Sequence, residues 1–302
     1  MLLLCNLIWG SQFVIYKVVQ QQTGPVFAAL LPITIATVLL TSVSLWTRRK
    51  SNAPNQLRLP TQHIWQFILI GIGGQVVAQL FTAWGVRYTL ASNAALLTLT
   101  LPVATAFMAY LFLREHMTPV RWISFAVAIV GVVICSGFRW GGIDLTVGKY
   151  LLGNVMVFAA INASAFYNSY SKKLLRTYSP LDVLLYSYYV VVAVMLPLAL
   201  ATEPLSFLNL HHFKPTVWLG FILLAFFQYF LAMILFLSVL KRLDATQVGL
   251  SNYLIPFFGV LIAAIALRER LTRSMLLGGA FVLTGTLLVT VYDQRAKVSH
   301  ET

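Results

Sequence analysis

The chain has 302 residues, of which 59% are hydrophobic and 10% are charged, and its formal net charge is +13. Soluble domains carry roughly a quarter charged residues, so this composition excludes a soluble enzyme and predicts a series of membrane spans of about 20 residues each. The basic excess then belongs to the loops that orient the spans, and no nucleic-acid partner is predicted.

The two cysteines, Cys5 and Cys135, both fall in apolar stretches. They form neither a CxxC motif nor a Cys/His spacing suited to a metal, and two thiols do not make a disulfide framework. No metal site and no cofactor are therefore predicted.

Ten apolar segments, separated by charged residues or by Pro/Gly breaks, predict ten transmembrane helices. They are expected at about 2–19, 26–46, 64–86, 92–113, 118–137, 150–171, 181–201, 216–240, 246–267 and 275–292. The predicted fold is thus an all-α integral membrane protein, with the lipid bilayer as its surroundings.

Polar side chains recur along one face of the first predicted helix. Asn6, Trp9, Gln12 and Tyr16 are spaced so that all lie near the same helical face. Polar groups are costly in lipid, so this face is expected to point into the protein. Other predicted helices carry similar residues: Gln75 and Gln79 in the third, Asn93 and Thr98 in the fourth, Asn162 and Tyr167 in the sixth, Gln228 in the eighth, and Ser251 and Asn252 in the ninth.

Together these residues are predicted to line a substrate-binding site. Amides, hydroxyls and aromatic rings can hydrogen-bond a polar solute and stack on its flat faces. For any one of them the alternative is a hydrogen bond between helices, typically worth less than about 1 kcal/mol.

Pro102 and Pro256 each fall in the middle of a predicted helix. Proline has no N–H, so the carbonyls of Thr98 and Asn252, four residues earlier, are expected to lose their helical partners. Inside a membrane such carbonyls need another donor. The two prolines are predicted to kink helices that flank the substrate site. A kink that serves helix packing alone is the alternative, and the two interpretations are compatible.

Small residues follow each proline at the same spacing, namely Thr105 and Ala109 in one helix and Gly259 and Ala263 in the other. Small side chains four positions apart allow two helices to approach closely. These two helices are therefore expected to pack against each other.

Residues 91–136 and residues 245–290 align without a gap at a constant offset of 154, and ten of the 46 aligned positions are identical. The matches include the mid-helix proline and an Arg-Glu pair at the helix end. The chain is therefore predicted to consist of two related halves of five helices each, residues 1–149 and 150–302.

Five helices per half is an odd number, so the second half must enter the membrane upside down relative to the first. With both termini in the cytoplasm, 13 of the 21 Lys and Arg residues fall on the cytoplasmic side, in line with the positive-inside rule. Two inverted repeats, each with a broken helix, are typical of secondary transporters that work by alternating access.

Three stretches carry a family resemblance: Trp9-Gly10-Ser11, Ala91 through Pro102 to Arg114-Glu115, and Asp244 through Pro256 to Arg268-Glu269. They resemble the drug/metabolite transporter superfamily and, within it, the ten-helix EamA-type transporters. The resemblance covers nearly the whole chain. It implies a multi-pass protein of the inner (plasma) membrane, a monomer or homodimer, that moves amino acids, nucleosides, sugars, other metabolites or drugs.

The chain departs from this resemblance at one place. Related sequences often carry an arginine early in the second helix, whereas this chain reads Ala29-Leu30-Leu31-Pro32. A transport step that relies on that arginine is therefore not expected here.

All eight acidic residues and all five histidines lie outside the centres of the predicted helices. Proton-driven carriers commonly keep an Asp, Glu or His within the membrane, so the prediction is facilitated diffusion down the solute gradient, with coupling through groups near the loops as the alternative. Glu115 and Glu269 are expected to be ion-pair partners at the surface or between helices, and a gating or proton-linked role is the alternative.

The predicted function is transport of a small polar or amphipathic metabolite, such as an amino acid, by an exporter or facilitator. Efflux of drugs or toxic compounds by proton antiport is the alternative. A channel would form its filter by oligomerisation, and a membrane-embedded enzyme would need a cluster of catalytic groups. The sequence indicates neither of these.

Overall fold

Backbone N–H and C=O groups find no partner in lipid, so a chain of this composition must satisfy them internally. The computed structural model describes residues 1–50, 61–113, 118–135, 145–242, 252 and 254–301. All regular secondary structure in these residues is helical, and they contain no strand. The prediction of an all-α protein is confirmed for this part of the chain.

Most α-helices of the described residues fall close to the predicted segments, but the last one continues to Glu301 and a short helix at Pro204–Leu208 was not predicted. In chain order they are α1 (Leu2–Val19), α2 (Pro25–Lys50), α3 (Thr61–Leu69), α4 (Val77–Tyr88), α5 (Ala91–Leu97), α6 (Leu101–Leu113), α7 (Pro119–Cys135), α8 (Leu145–Leu174), α9 (Pro180–Thr202), α10 (Pro204–Leu208), α11 (Pro215–Leu223), α12 (Met233–Arg242), α13 (Leu254–Ala266) and α14 (Arg273–Glu301). Short 3₁₀ turns occupy Thr98–Thr100 and Leu210–His212.

Six helical stretches in the described residues are long and apolar enough to cross a membrane. They are Leu2–Val19, Pro25–Arg49, His63–Tyr88, Gly148–Leu174, Pro180–Thr202 and Pro215–Arg242. Shorter apolar helices cover Ala91–Thr105, Trp122–Cys135 and Leu254–Ala266. The chain is therefore a multi-pass membrane protein, while the count of ten spans in two inverted repeats stays a prediction. The first part of the segment expected at 246–267 lies outside the described residues except for Asn252, and α13 begins at Leu254.

Two of the long helices contain π-helical segments that periodicity does not predict. Residues Ile70–Val76 join α3 to α4, and residues Leu224–Ala232 join α11 to α12. The segments begin 154 positions apart, which is the offset found between the two repeated stretches. A π turn disturbs the regular ladder of backbone hydrogen bonds and is frequent at functional sites.

Side chains donate to carbonyls of the second π segment. The Tyr188 hydroxyl donates to the Tyr229 carbonyl at 3.0 Å, and the Cys5 thiol donates to the Ala232 carbonyl at 3.6 Å. Both acceptors are buried, so these bonds replace partners that water would otherwise supply.

The carbonyls that the two prolines deprive of a partner are both satisfied locally. The Thr98 carbonyl accepts from the N–H of Leu101, and the Asn252 carbonyl accepts from the N–H of Ile255 at 3.0 Å. The other donor that each carbonyl needs is thus an N–H of the same chain segment, in a tighter i→i+3 turn. Pro256 lies in the first turn of α13 rather than in the middle of a described helix.

Gly259, the first of the small residues after Pro256, lies at a close crossing between helices. A side chain on Gly259 would meet Ala95 of α5, at 2.5 Å from its Cβ, and the Gly10 carbonyl of α1 at 3.2 Å. Helix α13 packs mainly on α1 and α5. Glycine at positions 10 and 259 allows this close crossing of α13 with α1 and α5. The expected contact with the Thr105–Ala109 stretch stays a prediction.

Helices of the two predicted halves pack against one another along their length. Helix α2 packs on α9, α7 packs on α14, and α4 packs on α8. The first π segment packs on α9, and the second packs on α2. This arrangement places α1, α4, α5, α8 and the second π segment around a common interior.

Candidate functional site

A cavity of about 110 Å³ lies in this interior. Its wall comes from both predicted halves of the chain. The lining residues that the structure describes are Trp9, Gln12, Phe13, Gln75, Ala78, Gln79, Thr82, Thr98, Leu101, Val157, Ala160, Ile161, Ser164, Tyr167, Asn168, Gln228, Met233 and Ile255.

The cavity brings together seven of the residues that the sequence singles out. They lie on α1, on both π segments and the helices that continue them, on the 3₁₀ turn before Pro102, and on α8: Trp9, Gln12, Gln75, Gln79, Thr98, Tyr167 and Gln228. Residues far apart in the sequence thus form one polar wall.

The two π segments place two of the glutamines. Gln75 belongs to the first segment and Gln228 to the second, and both are buried. The glycine before Gln75 lets α8 approach, because a Cβ on Gly74 would come within 2.8 Å of the Tyr167 Cβ. A larger residue at position 74 would therefore push Tyr167 away from Gln75.

Hydrogen bonds between side chains tie the polar wall together. Gln228 donates its Nε2 to Gln12 Oε1 at 2.8 Å. Tyr229 donates its hydroxyl to Gln79 Oε1 at 2.9 Å, and Gln79 Nε2 donates to Gln75 Oε1 at 3.1 Å. The hydroxyls of Tyr16 and Tyr229 also share a hydrogen bond. The bonds from Gln228 and Tyr229 cross from the second predicted half to the first.

Other residues of the predicted set lie away from the cavity wall. Tyr16 is fully buried against Tyr229, and Asn93 donates to Thr89 Oγ1 and to the Cys135 carbonyl. Asn162 donates to a carbonyl one turn earlier in its own helix, that of Phe158 at 2.8 Å. Tyr16 and Asn93 thus form hydrogen bonds between helices, which is the alternative that the sequence leaves open, whereas Asn162 bonds only within α8.

Three residues of the predicted set remain, and none of them is found in the described cavity lining. Asn6 and Asn252 are buried outside the cavity lining. Ser251 falls outside the described residues.

The apolar part of the wall is the part that sequence reasoning missed. Phe13, Leu101, Val157, Ile161, Met233 and Ile255 line the cavity but cannot be told from lipid-facing residues in a uniformly apolar helix. Thr82 is a different case, since it lies one turn after Gln79 and helical spacing could have identified it. The wall is therefore amphipathic, with amides and hydroxyls beside aliphatic side chains.

The described part of the cavity wall is uncharged. Among the lining residues that the structure describes, none carries a charge at neutral pH. No group of three His, Cys, Asp or Glu residues suited to a metal occurs within the described ranges.

Two carboxylates of the second predicted half instead cap helices of the first. Glu203 accepts from the backbone N–H of Val26 at 3.0 Å and of Phe27 at 2.8 Å, at the start of α2. Glu269 accepts from the N–H of Ala91 at 3.0 Å and of Ser92 at 2.9 Å, at the start of α5. Negative charge at a helix N-terminus is favoured because it satisfies free N–H groups and opposes the helix dipole.

Glu269 is therefore a helix cap, a role that the sequence did not predict, and its expected role as an ion-pair partner stays a prediction. Its carboxylate also accepts from the Ser92 hydroxyl at 2.6 Å and lies within electrostatic range of the Lys17 ammonium of α1. Glu115 falls outside the described residues.

Side chains link the halves at the opposite end of α2. Arg48 forms a salt bridge with Asp182 at 2.7 Å, and His63 Nδ1 shares a hydrogen bond with the Tyr178 hydroxyl at 2.7 Å. Burial raises the pKa of Tyr178, with further contributions from Tyr186 and Asp182, so its hydroxyl is protonated at neutral pH.

Comparison with known proteins bears on the whole chain. The model of the EamA-like transporter family matches residues 1–137 and 151–291. A solved crystal structure with 18% sequence identity superposes with a TM-score of 0.65 and covers 97% of this chain and 96% of its own, which shows a shared fold.

Curated relatives are named as transporters. An uncharacterized transporter of Archaeoglobus fulgidus is 23% identical over 96% of both chains. A probable terminal-alkyne amino-acid exporter of Streptantibioticus cattleyicolor is 27% identical over 95% of this chain and 91% of its own. An S-adenosylmethionine/S-adenosylhomocysteine transporter of Chlamydia muridarum is 23% identical over 93% of this chain and 88% of its own.

Proposed function

Because the chain belongs to the EamA-like transporter family, we propose that it is a secondary transporter of a small polar or amphipathic metabolite such as an amino acid. The observation that carries this proposal is the amphipathic cavity, whose wall combines residues of both predicted halves. A site between two halves can be exposed to either side of the membrane by their relative movement.

In this proposal residues 1–149 and 150–302 act as inverted repeats of five helices, with both termini in the cytoplasm and the protein in the inner membrane. Trp9, Gln12, Gln75, Gln79, Thr98, Tyr167 and Gln228 bind the solute, and Pro102 and Pro256 shape the helices beside it. Movement of the halves would break the hydrogen bond from Gln228 to Gln12 and that from Tyr229 to Gln79, so these bonds belong to one state of the cycle.

Named relatives support an amino acid as the solute. One relative is named as an exporter of an amino acid, and another as a transporter of S-adenosylmethionine, which itself contains an α-amino acid group. Export is the direction that we propose for this chain.

Drug efflux by proton antiport is the second candidate, and the uncharged lining of the cavity disfavours it. An antiporter needs a group that binds either a proton or the drug, and the described lining offers no Asp, Glu or His. Transport by this protein should therefore proceed without an imposed pH gradient and change little between pH 6 and 8.

Counterflow in proteoliposomes tests the proposed function. Vesicles preloaded with an unlabelled mixture of amino acids should take up a labelled amino acid faster than empty vesicles, because a carrier returns faster with cargo. Equal uptake into loaded and empty vesicles would contradict a carrier. Pro102→Ala and Pro256→Ala should each slow counterflow without unfolding the protein. If the double variant transports at the wild-type rate, the two prolines are not needed for transport.

Reporter fusions test the proposed orientation. Fusions at residues 143 and 302 should report opposite sides of the membrane. Signals from the same side would contradict the inverted repeat while leaving the family assignment intact.

A further inference from the structure

Three helical segments that help to line the cavity close against one another directly beside it. Helix α1 contributes Phe13 to the wall, α13 contributes Ile255, and the 3₁₀ turn that follows α5 contributes Thr98. A solute that leaves the cavity between these segments must part α13 from α1 and α5. Because α13 belongs to the second predicted half and the other two belong to the first, such a parting is a movement of one half against the other.

Small residues let the three helices meet without a gap. Gly259 lies one turn after Ile255, and a Cβ on it would come within 2.5 Å of the Ala95 Cβ. A Cβ on Gly10 would come within 2.8 Å of the Gly259 nitrogen. Gly10, Ala95 and Gly259 are all buried, so this junction leaves no room for a solute to pass.

A carboxylate joins the same three helices farther from the cavity. Glu269 follows the end of α13 and accepts from the N–H groups of Ala91 and Ser92 at the start of α5. It also lies within electrostatic range of Lys17, which is in the last turn of α1. Charge-assisted hydrogen bonds of this kind are the strong ones, so the Glu269 cap holds the end of α13 on α5 and α1.

The turn that carries Glu269 is strained. Arg268 has a φ of 54° and is the one non-glycine residue with a positive φ in the part of the chain that the structure describes. Helices commonly end on a residue in this left-handed conformation, but it is usually glycine, because a Cβ is unfavourable there. Such strain persists only where neighbouring contacts hold it. The contacts of Glu269, the next residue, do so here.

We propose that the junction of Gly10, Ala95 and Gly259, together with the Glu269 cap, is a gate that is closed in this structure. It separates the cavity from the side of the membrane on which α5 begins. This inference rests on the proposed function, in whose orientation that side is the outer one. Opening the gate breaks the bonds of Glu269, so a substitution that removes them shifts the population toward the state that is open to the outside.

A single cysteine on the cavity wall measures which side the cavity faces. Thr82→Cys places a thiol on the wall once Cys5 and Cys135 are replaced by alanine. A charged, membrane-impermeant methanethiosulfonate is added to right-side-out and to inside-out membrane vesicles that contain the full-length protein. The rate of labelling then reports access from each side.

Glu269→Ala should raise the labelling rate from the outside about tenfold, which corresponds to about 1.4 kcal/mol of lost closure. The rate from the inside should not rise, because the two openings alternate. An unchanged rate from the outside overturns the inference. An equal rise from both sides also overturns it, since that result shows a general loosening of the protein.

Glu203→Ala is the matched control for loss of a helix cap. Glu203 accepts from two N–H groups at the start of α2, and α2 contributes no residue to the described cavity lining. Both labelling rates should stay within about twofold of the reference protein. If Glu203→Ala raises the outside rate as much as Glu269→Ala does, the effect belongs to helix caps in general and the gate is overturned.

Two further variants test the gate if Glu269→Ala does not fold. Glu269→Gln keeps one acceptor oxygen and should raise the outside rate about threefold. Gly259→Ala leaves the cap intact but forces α13 away from α5, so it should also raise that rate about threefold or more. Gly148→Ala is its control, since a Cβ there has no neighbour within 4 Å. If Gly259→Ala labels like Gly148→Ala, the junction is not a barrier and the inference fails.

The labelling assay needs no solute, which separates failure of the inference from failure of the proposed function. If the labelling rates respond as expected but no amino acid exchanges in counterflow, the gate stands and the proposed function fails. If amino acids exchange while Glu269→Ala leaves the labelling rates unchanged, only the gate fails.

Discussion

The two ends of the helix bundle hold the predicted halves together by different means. At the cap end, the carboxylates of Glu203 and Glu269 accept from backbone N–H groups of α2 and α5. At the ion-pair end, Arg48 contacts Asp182 and His63 contacts Tyr178, all through side chains. Because α2 runs the length of the bundle from Pro25 to Lys50, it takes part in both.

This difference has an energetic consequence. A carboxylate at a helix N-terminus makes charge-assisted hydrogen bonds to donors that are already fixed in place, so little side-chain entropy opposes them. The side chains of Arg48 and Asp182 are 23% and 22% exposed, and ion pairs in contact with solvent typically contribute about 0–1 kcal/mol. The cap end should therefore resist separation of the halves more strongly than the ion-pair end.

The largest effect is expected at Glu269. Glu269→Ala removes three hydrogen bonds and leaves the start of α5 uncapped, so the free energy of unfolding should fall by about 2–3 kcal/mol. Thermal unfolding followed by tryptophan fluorescence measures this change. The Glu269→Gln side chain has one acceptor oxygen where the carboxylate has two. Its melting temperature should therefore lie between those of the wild type and Glu269→Ala. An unchanged melting temperature for Glu269→Ala would contradict the conclusion that the cap end contributes more to stability than the ion-pair end.

A smaller effect is expected at Gly24, where a Cβ would overlap the Glu203 carboxylate. Gly24→Ala should displace Glu203 from the N–H groups of Val26 and Phe27 and destabilise the protein by about 1–2 kcal/mol, much as Glu203→Ala would. Gly148→Ala is the matched control, since a Cβ at that helical position has no neighbour within 4 Å and alanine should stabilise slightly. If both substitutions change the melting temperature alike, Glu203 is not constrained by Gly24.

At the ion-pair end we expect a coupling below about 1 kcal/mol. A double-mutant cycle of Arg48→Ala and Asp182→Asn isolates the interaction and keeps the side-chain oxygen that accepts from Ser179. The coupling should shrink between 0.05 M and 1 M salt, whereas the effect of Glu269→Ala should change less. A coupling that equals or exceeds the cap-end effects would reverse the comparison.

A similarly small effect is expected at Tyr178. Tyr178→Phe removes the hydroxyl that His63 contacts and should cost about 0.5–1 kcal/mol near neutral pH. Burial raises the pKa of Tyr178, so the folded protein holds this proton more tightly than the unfolded chain. Its contribution is complete below about pH 10 and is lost as the pH rises further. The difference in melting temperature between variant and wild type should therefore narrow above pH 10. Tyr88→Phe, at an exposed residue, serves as the control.

Much of the candidate site was predictable because helical spacing shows which face of a helix is polar. Gln12 and Gln75 follow from that spacing, and Gln228 follows from the cost of polar groups in lipid. Spacing does not show what a polar face meets. Tyr16 and Asn93 satisfy the same pattern as Gln12, yet they bond to Tyr229 and to the Cys135 carbonyl rather than face the cavity.

The sequence by itself determined the all-helical, membrane-embedded character of the protein, since a run of about 20 apolar residues has one low-energy form in lipid. It also determined the repeat offset of 154 positions. The two π segments begin at the same offset from each other. Tertiary structure alone decided which carboxylate caps which helix. Glu203 meets Phe27 across 176 positions and Glu269 meets Ala91 across 178. Such pairs depend on where the ends of whole helices lie relative to one another. The local hydrophobic pattern carries no information about contacts between residues so far apart in the sequence.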